Sequence, residues 1–234
     1  WNDLLLDELS SKTGGSVLLL DSPTVIGSLL RKIFHNLERV VANRVALDGS
    51  IAQQLDLRST FRLEPDPMPL SDHFPLLLGQ LPRDGRIRLL LELVIHPIGQ
   101  IDHLEMAHLN IDGDILGSNN ESVPLPLKVE IPVSDKPDMD PPPQEISQAI
   151  SRISLYEMQE KARHEAEIGQ TQQAARRLEN LATHLLESGE RDLAKAALNE
   201  AARVTHTRKF SSQGSKFLKY GTRALLLPAR TEGP

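Results

Sequence analysis

The sequence contains no cysteine, which excludes disulfide bonds, thiolate metal sites and cysteine nucleophiles. Aromatic residues make up only 3% of its 234 residues, so we expect a core of aliphatic side chains, chiefly leucine. No apolar run approaches the ~20 residues that cross a bilayer. No secretory signal is recognisable, and the first residue is not Met. We therefore predict a cytoplasmic protein or processed fragment without a membrane segment.

Motifs that carry catalysis or nucleotide binding are also missing. The sequence has no GxSxG elbow, and no glycine-rich phosphate loop follows a predicted strand. His96, His103 and His108 are near one another, but neither HxH nor HExxH spacing occurs. On a strand, odd and even positions face opposite ways, so these side chains are predicted to be surface histidines rather than zinc ligands. We predict that the chain is not an enzyme.

Charge is unevenly distributed along the sequence. The formal net charge is −6, yet the stretch from Arg203 to Arg230 holds seven basic residues and no acidic one. A short basic tail on an acidic body is typical of contact with anions or an acidic partner. The alternative is that Phe217 and Leu218 pack on helices while the lysines stay solvated, and we favour packing over nucleic-acid binding. The candidate contact residues are Arg208, Lys209, Lys216, Lys219 and Arg223.

Residues 1–41 have the pattern of a helix, a strand and a second helix. Trp1–Lys12 carries leucines at helical spacing. Val17–Leu20 is an all-apolar run, typical of a strand buried on both faces of a parallel sheet. A cap residue ahead of Pro23 predicts a second helix, with an apolar stripe that extends to Val40. Because one strand and two helices cannot form a sheet, we expect these residues to be the last unit of a larger α/β domain.

Residues 42–134 change to a period of two, which predicts strands. Leu55–Leu63 alternates apolar residues with a polar face that includes Arg62, and Ile87–Ile95 and Leu125–Val133 alternate similarly. Prolines interleaved in the last of these remove ladder donors, so that strand is expected at a sheet edge. Short alternating strands between turns favour an antiparallel β-sandwich. Weaker alternation marks Asn43–Leu47, Phe74–Leu78 and Ile101–Ile111.

The remainder is predicted to be a linker, a helical bundle and a tail. Residues 135–144 include three consecutive prolines, which favour an extended conformation. Residues 145–227 are predicted to be helical, and residues 228–234 a flexible tail. Gly169 and Gly189 begin similar segments 20 residues apart, each expected to end the preceding helix in a left-handed cap. The predicted helices are Glu145–Ile168, Thr171–Ser188, Arg191–Thr207 and a short one from Ser211 or Ser212 to Leu226.

Three features together carry a family resemblance: the opening WNDLLLDELSSKTGGSVLLLDSP, the leucine-rich β region, and the helical end closing in KFLKYGTRALL. This order resembles the C-terminal half of bacterial von Willebrand factor type A (VWA) domain proteins, the group labelled Ca-activated chloride channel homologues. The resemblance implies that residues 1–41 are the C-terminal helix–strand–helix of a VWA-like α/β domain. It implies a multidomain α+β protein in which a β-sandwich and a helical segment follow that domain.

The functional centre of that family is a metal-ion-dependent adhesion site, which binds Mg²⁺ through a DxSxS loop, a Thr and an Asp. The present sequence has no DxSxS. Asp48-Gly49-Ser50-Ile51-Ala52 begins similarly, but Ala52 occupies the position of the second serine. The resemblance therefore implies Mg²⁺ only for a part of the VWA domain outside this sequence, and we predict no cofactor in this chain.

One loop has the spacing of calcium ligands. If Asn110 is position 1, oxygen ligands fall at Asn110, Asp112, Asp114 and Glu121, which are positions 1, 3, 5 and 12 of a calcium loop. Position 6 is Ile115, where the sharp turn of such a loop needs glycine. An Asp-Gly hairpin turn explains the same residues, and we favour the turn.

The sequence thus predicts a non-enzymatic protein-interaction and scaffolding region that positions an upstream metal-dependent adhesion-type domain. Its partner is expected to be a protein, and residues 1–41 are expected to support a homodimer or a domain swap, because a large apolar face is rarely left in water. One alternative is an anion- or nucleic-acid-binding accessory protein that uses the basic C-terminal helix. Another is a metal-dependent hydrolase subunit that uses the loop from Asn110 to Glu121.

Overall fold

The structure is a computed structural model that describes residues 2–20, 24, 26–37, 39–117, 124–134, 136 and 140–226. The chain divides into two compact units, Trp1–Met139 and Asp140–Pro234. The first contains two helices and seven strands, and the second contains four helices, counted over those residues. No helix within the described residues is long and apolar enough to span a bilayer. The finer domain boundaries given above remain predictions.

The first unit begins with two helices, α1 (Asp3–Thr13) and α2 (Ile26–Leu37). Asn2 caps α1, since its side chain accepts a hydrogen bond from the Leu5 amide at 3.2 Å. Gly14 ends α1 in the left-handed conformation, with φ of 68°. The predicted cap residues ahead of Pro23 lie outside the described residues. The stripe that was expected to run along α2 to Val40 ends at Leu37, and Val40 begins the first strand.

The buried strand predicted at Val17–Leu20 does not form in the described part of this chain. These residues are in an extended segment that belongs to no strand, and Leu18 and Leu20 are exposed. An apolar run becomes a buried strand only when neighbouring strands accept its backbone hydrogen bonds. Within the described part of the first unit, no strand pairs with this segment.

Seven strands form two antiparallel sheets in the first unit. The larger sheet has the order β4-β1-β6-β7, and the smaller has the order β3-β2-β5. Val45 and Leu47 of the larger sheet share an apolar core with Leu89 and Leu91 of the smaller one. The last strand is at an edge, as its prolines predicted. The strands are β1 (Val40–Ile51), β2 (Leu55–Glu64), β3 (Met68–Pro69), β4 (Leu76–Pro82), β5 (Arg88–Ile95), β6 (His103–Ile115) and β7 (Leu125–Pro132).

The second unit is built from alanine and leucine. Its four helices share one core, in which small alanines of α4 and α5 allow close packing between helices. Gly169 and Gly189, which lie between these helices, both have φ of 83°. The backbone amide of the residue after each glycine donates to a carbonyl oxygen five residues back, at 2.8 Å. The predicted 20-residue repeat is therefore visible in the turn geometry. The helices are α3 (Gln144–Glu167), α4 (Thr171–Glu187), α5 (Arg191–Thr207) and α6 (Ser212–Ala224).

Candidate interaction surface

The helices α1 and α2 and the segment between them expose an unusual number of large apolar side chains. On α2 the stripe includes Phe34, which is 62% exposed, and Leu30. Exposed apolar side chains that are concentrated in one short region are typical of a contact site, whereas isolated ones are ordinary. We call this set the N-terminal apolar surface: Leu5, Leu6, Leu9, Leu18, Leu20, Ile26, Leu30, Ile33, Phe34 and Leu37.

A buried arginine joins the C-terminal end of α1 to the sheets. Arg62 on β2 is only 1% exposed, although the alternation of β2 predicted an outward polar side chain. Its guanidinium reaches three separate backbone segments, so it joins the end of α1 to β4 and to the loop after β2. It donates to the carbonyl oxygens of Gly14 at 2.9 Å, Leu78 at 2.8 Å, Gly15 at 2.6 Å and Asp66 at 3.1 Å.

The remaining donor capacity of Arg62 is also used. Its Nη2 lies 2.9 Å from the sulfur of Met68 and 3.4 Å from the Ser16 hydroxyl. A guanidinium has five N–H donors, and each has an acceptor among these groups. We call this set of contacts the Arg62 cradle. Arg62 therefore has a structural role, and it has no N–H donor left for an anionic ligand.

Two glycines allow α1 to approach β4 at backbone distance. Gly14 and Gly79 have φ of 68° and 94°, in the region that side chains disfavour. A Cβ at Gly14 would lie 2.4 Å from the Gly79 nitrogen, and a Cβ at Gly79 would lie 2.2 Å from the Gly14 oxygen. Neither position accepts a larger residue without movement of the backbone, so this contact and the Arg62 cradle hold the same junction.

A cleft of about 800 Å³ lies beside this junction. Apolar side chains of α2 form one wall, and Asn43, Arg44 and Asp114 contribute polar groups to the lining. Arg44 has φ of 49° at a bulge of β1 and donates to the Asp114 carboxylate at 2.6 Å. That hydrogen bond and the opposite charge lower the pKa of Asp114 and raise the pKa of Arg44. The Asn43 Oδ1 is buried without a hydrogen-bond partner among the described residues.

The predicted calcium loop does not form an ion site in the part that is described. Asn110, Asp112 and Asp114 lie on β6, while Glu121 lies outside the described residues. The Asp114 carboxylate is paired with Arg44, and no group of three or more potential ligands gathers anywhere in the described chain. The alternative hairpin turn at Asp112-Gly113 is also wrong, since β6 continues to Ile115 and the turn follows it.

The candidate basic residues are not all on the surface. Arg208 and Lys209 are exposed in the turn between α5 and α6, and Lys216 is half-buried. Lys219 and Arg223 are 1% and 4% exposed, so the expectation that the lysines of this helix stay solvated is wrong for Lys219. The reason is that α6 packs against both α3 and α5, and it turns polar as well as apolar side chains inward.

A buried carboxylate, which the sequence did not reveal, accounts for the start of α6. Glu200 on α5 is 6% exposed, and it accepts hydrogen bonds from the Ser211 amide at 2.7 Å and hydroxyl at 2.6 Å. The Ser211 hydroxyl in turn accepts from the Gly214 amide at 2.8 Å. A capping serine signals only the local helix start; its carboxylate partner, eleven residues earlier, has no local signal.

Comparison with known proteins agrees with this architecture. Residues 144–228 match the family described as "Sll0103-like, C-terminal alpha-helical domain". The fold is similar to that of a solved structure, "von Willebrand factor type A from Catenulispora acidiphila", with a TM-score of 0.66 and 13% identity over 95% of this chain and 55% of that chain. The ArnB paralog VWA2 from Sulfolobus acidocaldarius aligns at a TM-score of 0.41 and 13% identity, over 97% of this chain and 54% of that one.

No curated protein sequence matches the chain. The chain spans about half the length of the two solved structures. At 13% identity the first likeness concerns the fold alone. The chain therefore has a mixed α/β architecture, with antiparallel sheets and a C-terminal helical region, similar to that of a VWA-type structure.

Proposed function

We propose that this chain is a non-enzymatic interaction and scaffolding region that holds a VWA-type α/β domain at the N-terminal apolar surface. The observation that carries the proposal is the Arg62 cradle. It anchors the end of α1 to the sheets, while the apolar side chains of α1 and α2 remain exposed. A fixed base with an uncovered apolar face is suited to positioning a partner domain.

The energetics of the surface favour a partner. Full burial of one large apolar side chain contributes about 1.5–3 kcal/mol. Phe34 and Leu30 are 62% and 47% exposed, so their burial alone offers about 2–3 kcal/mol, a useful fraction of the about 5–15 kcal/mol that stabilises a typical domain. The similar VWA structure is nearly twice as long as its match to this chain, so an α/β domain is the partner that best fits this face.

The finer assignments belong to the same proposal. The two sheets are the halves of a β-sandwich, and the four helices of the second unit form a bundle. The protein is of the bacterial Ca-activated chloride channel homologue type. Mg²⁺ would be held by the docked α/β domain and not by this chain, whose Asp114 is already paired with Arg44.

Light scattering across a range of concentrations tests the surface. Without its partner domain, the chain is expected to cover the apolar face with a second copy and to associate as concentration rises. The double substitution Leu30→Glu and Phe34→Glu should give a monomer. Arg31→Glu, on an exposed position of the same helix, should associate like the unsubstituted chain. A chain that stays monomeric at high concentration would sink the proposal.

A further inference from the structure

The outward side of α5 carries exposed cations, and the one exposed acidic residue of this helix in the described structure is Asp192 in its first turn. Between Leu193 and Leu226 the sequence has a single carboxylate, Glu200. That carboxylate is turned inward and is bound by Ser211. The surface of this segment is therefore positive, although the chain as a whole carries a net charge of −6.

Half-buried cations elsewhere in the helical unit have acidic partners. Arg177 donates to Glu165 at 2.5 Å, and Arg163 donates to Glu160 at 2.5 Å. No such ion pair involves the exposed cations of α5 and its following turn, within the residues that the structure describes. These are Arg191, Lys195, Arg203, Arg208 and Lys209.

Helix geometry places Lys195 and Arg203 along the side of α5 away from the core. The inward side is marked by Ala194, Ala197, Ala201 and Val204, which belong to the core. Eight residues separate the two cations along the helix, which corresponds to about 12 Å at 1.5 Å per residue. The positive surface is therefore elongated, as is suitable for contact with an extended or helical segment.

An exposed leucine lies beside Lys195. Leu198 is 47% exposed and follows Lys195 by three residues, so the two are neighbours on the helix surface. An apolar side chain beside a cation can anchor a polypeptide that has both carboxylates and an apolar residue. A phosphate backbone has no apolar side chain that would contact Leu198.

The turn after α5 extends the same surface. Arg208 ends α5 with φ of 60°, a left-handed conformation that glycine adopts more easily. Such a conformation costs a non-glycine residue roughly 1–2 kcal/mol. Cations at a helix C-terminus also interact favourably with its exposed carbonyl groups. The interaction with the helix C-terminus offsets part of the conformational cost at Arg208, and the guanidinium remains exposed to a ligand.

We propose that Lys195, Leu198, Arg203, Arg208 and Lys209 form a docking surface for an acidic polypeptide segment that contains an apolar residue. We call it the α5 basic surface. Complementary charge steers such a segment to the helix, and the apolar residue covers Leu198. The proposal does not depend on the proposed function, because this surface belongs to the other compact unit of the chain.

Stacking platforms for nucleic acid are poorly developed on this unit. Recognition of single strands relies on aromatic side chains that stack with successive bases. Phe210 packs against the helical core, and Tyr220 is buried. Phe217 is the one exposed aromatic side chain in the described part of the helical unit. An acidic polypeptide therefore fits the surface better than a nucleic acid does.

Fluorescence anisotropy with the full chain and three labelled probes tests the proposal. The probes are an acidic peptide with two leucines one helical turn apart, its Glu→Gln counterpart, and a single-stranded oligodeoxynucleotide of equal length. We expect only the acidic peptide to bind well, with an affinity that falls as salt rises. The double substitution Lys195→Glu and Arg203→Glu should weaken it by about tenfold or more.

Two further variants separate specific docking from general attraction. Leu198→Ser should weaken the acidic peptide several-fold without altering the salt dependence. Arg176→Glu, an equal charge change at an exposed position of α4, should change its affinity by less than about twofold. Circular dichroism of every variant should match the unsubstituted chain.

Three results would overturn the proposal. The first is equal binding of the Glu→Gln peptide, or no binding of either peptide. The second is an equal loss of affinity for Arg176→Glu and for the double substitution on α5. The third is tighter binding of the oligonucleotide with no effect of Leu198→Ser, which would assign the surface to nucleic acid instead.

Discussion

Replacement of Arg62 by Met is the sharpest perturbation of the junction between α1 and the sheets. The substitution keeps an unbranched side chain of similar length but removes every hydrogen-bond donor. The carbonyl oxygens of Gly14 and Leu78, which Arg62 reaches in a buried setting, then lose that donor. Gly15 and Asp66, at the partly buried side of the cradle, can turn to water instead.

The expected loss of stability follows from these contacts. A buried acceptor left without a partner costs about 1–3 kcal/mol, so two of them amount to roughly 2–6 kcal/mol. Part of this cost is offset, because the substitution removes a charged guanidinium that is desolvated in the native state. We expect a net destabilisation of about 2–4 kcal/mol for Arg62→Met, and a smaller one for Arg62→Lys, whose ammonium keeps three donors.

Hydrogen–deuterium exchange by mass spectrometry can localise the effect. Peptides that cover the end of α1 and β4 should exchange faster in Arg62→Met, while peptides from α4 and α5 should be unchanged. Arg58→Met is the matched control on the same strand, because Arg58 makes only an exposed ion pair with Glu92 at 3.1 Å. Such pairs contribute about 0–1 kcal/mol. If the two variants lost the same stability, or if exchange rose uniformly over the chain, the cradle would not act as described.

Two further predictions concern the same face of the first unit. Gly79→Ala should destabilise the chain more than Gly117→Ala in chemical denaturation. Both glycines have positive φ, but only a Cβ at Gly79 meets another backbone, that of Gly14. Equal losses of stability in the two variants would contradict this contact. Asp114 should titrate below its ordinary pKa of about 3.9 in NMR, and Arg44→Ala should raise that pKa towards the ordinary value. The pair contributes stability above the unfolded-state pKa, and this contribution is lost as pH falls through the lower folded-state pKa.

The parts of the fold that were predicted from sequence depend on local chemistry. Alternation of apolar and polar residues identified β2, β5 and β7, and the prolines of β7 placed it at an edge. Glycine at positions that need φ above zero identified the turns at Gly169 and Gly189. In each case the residue types needed for the structure are adjacent in sequence, so the pattern is visible without knowledge of the neighbours.

The errors occur where a side chain's environment is set by distant residues. Val17–Leu20 has the composition of a buried strand, but strand formation depends on partners elsewhere. Arg62 fits an outward position by periodicity, yet carbonyls from α1 and β4 surround it. Lys219 has the same explanation, since burial of α6 depends on α3 and α5. The apolar stripe of residues 1–41 and the basic residues Arg208 and Lys209 were visible in the sequence, whereas the contacts of Arg62 that anchor α1 were not.

The two proposed surfaces differ in physical character, and this has a consequence for how they respond to salt. Contacts at Phe34 and Leu30 are hydrophobic, and sulfate salts strengthen such contacts because they are excluded from apolar surface. Contacts at Lys195 and Arg203 are electrostatic and weaken with ionic strength, since the Debye length falls to about 3 Å at 1 M salt. Added salt should therefore favour self-association through α2 and oppose peptide binding at α5. A single salt series thus distinguishes the two surfaces, since a shared mechanism would move both equilibria in the same direction.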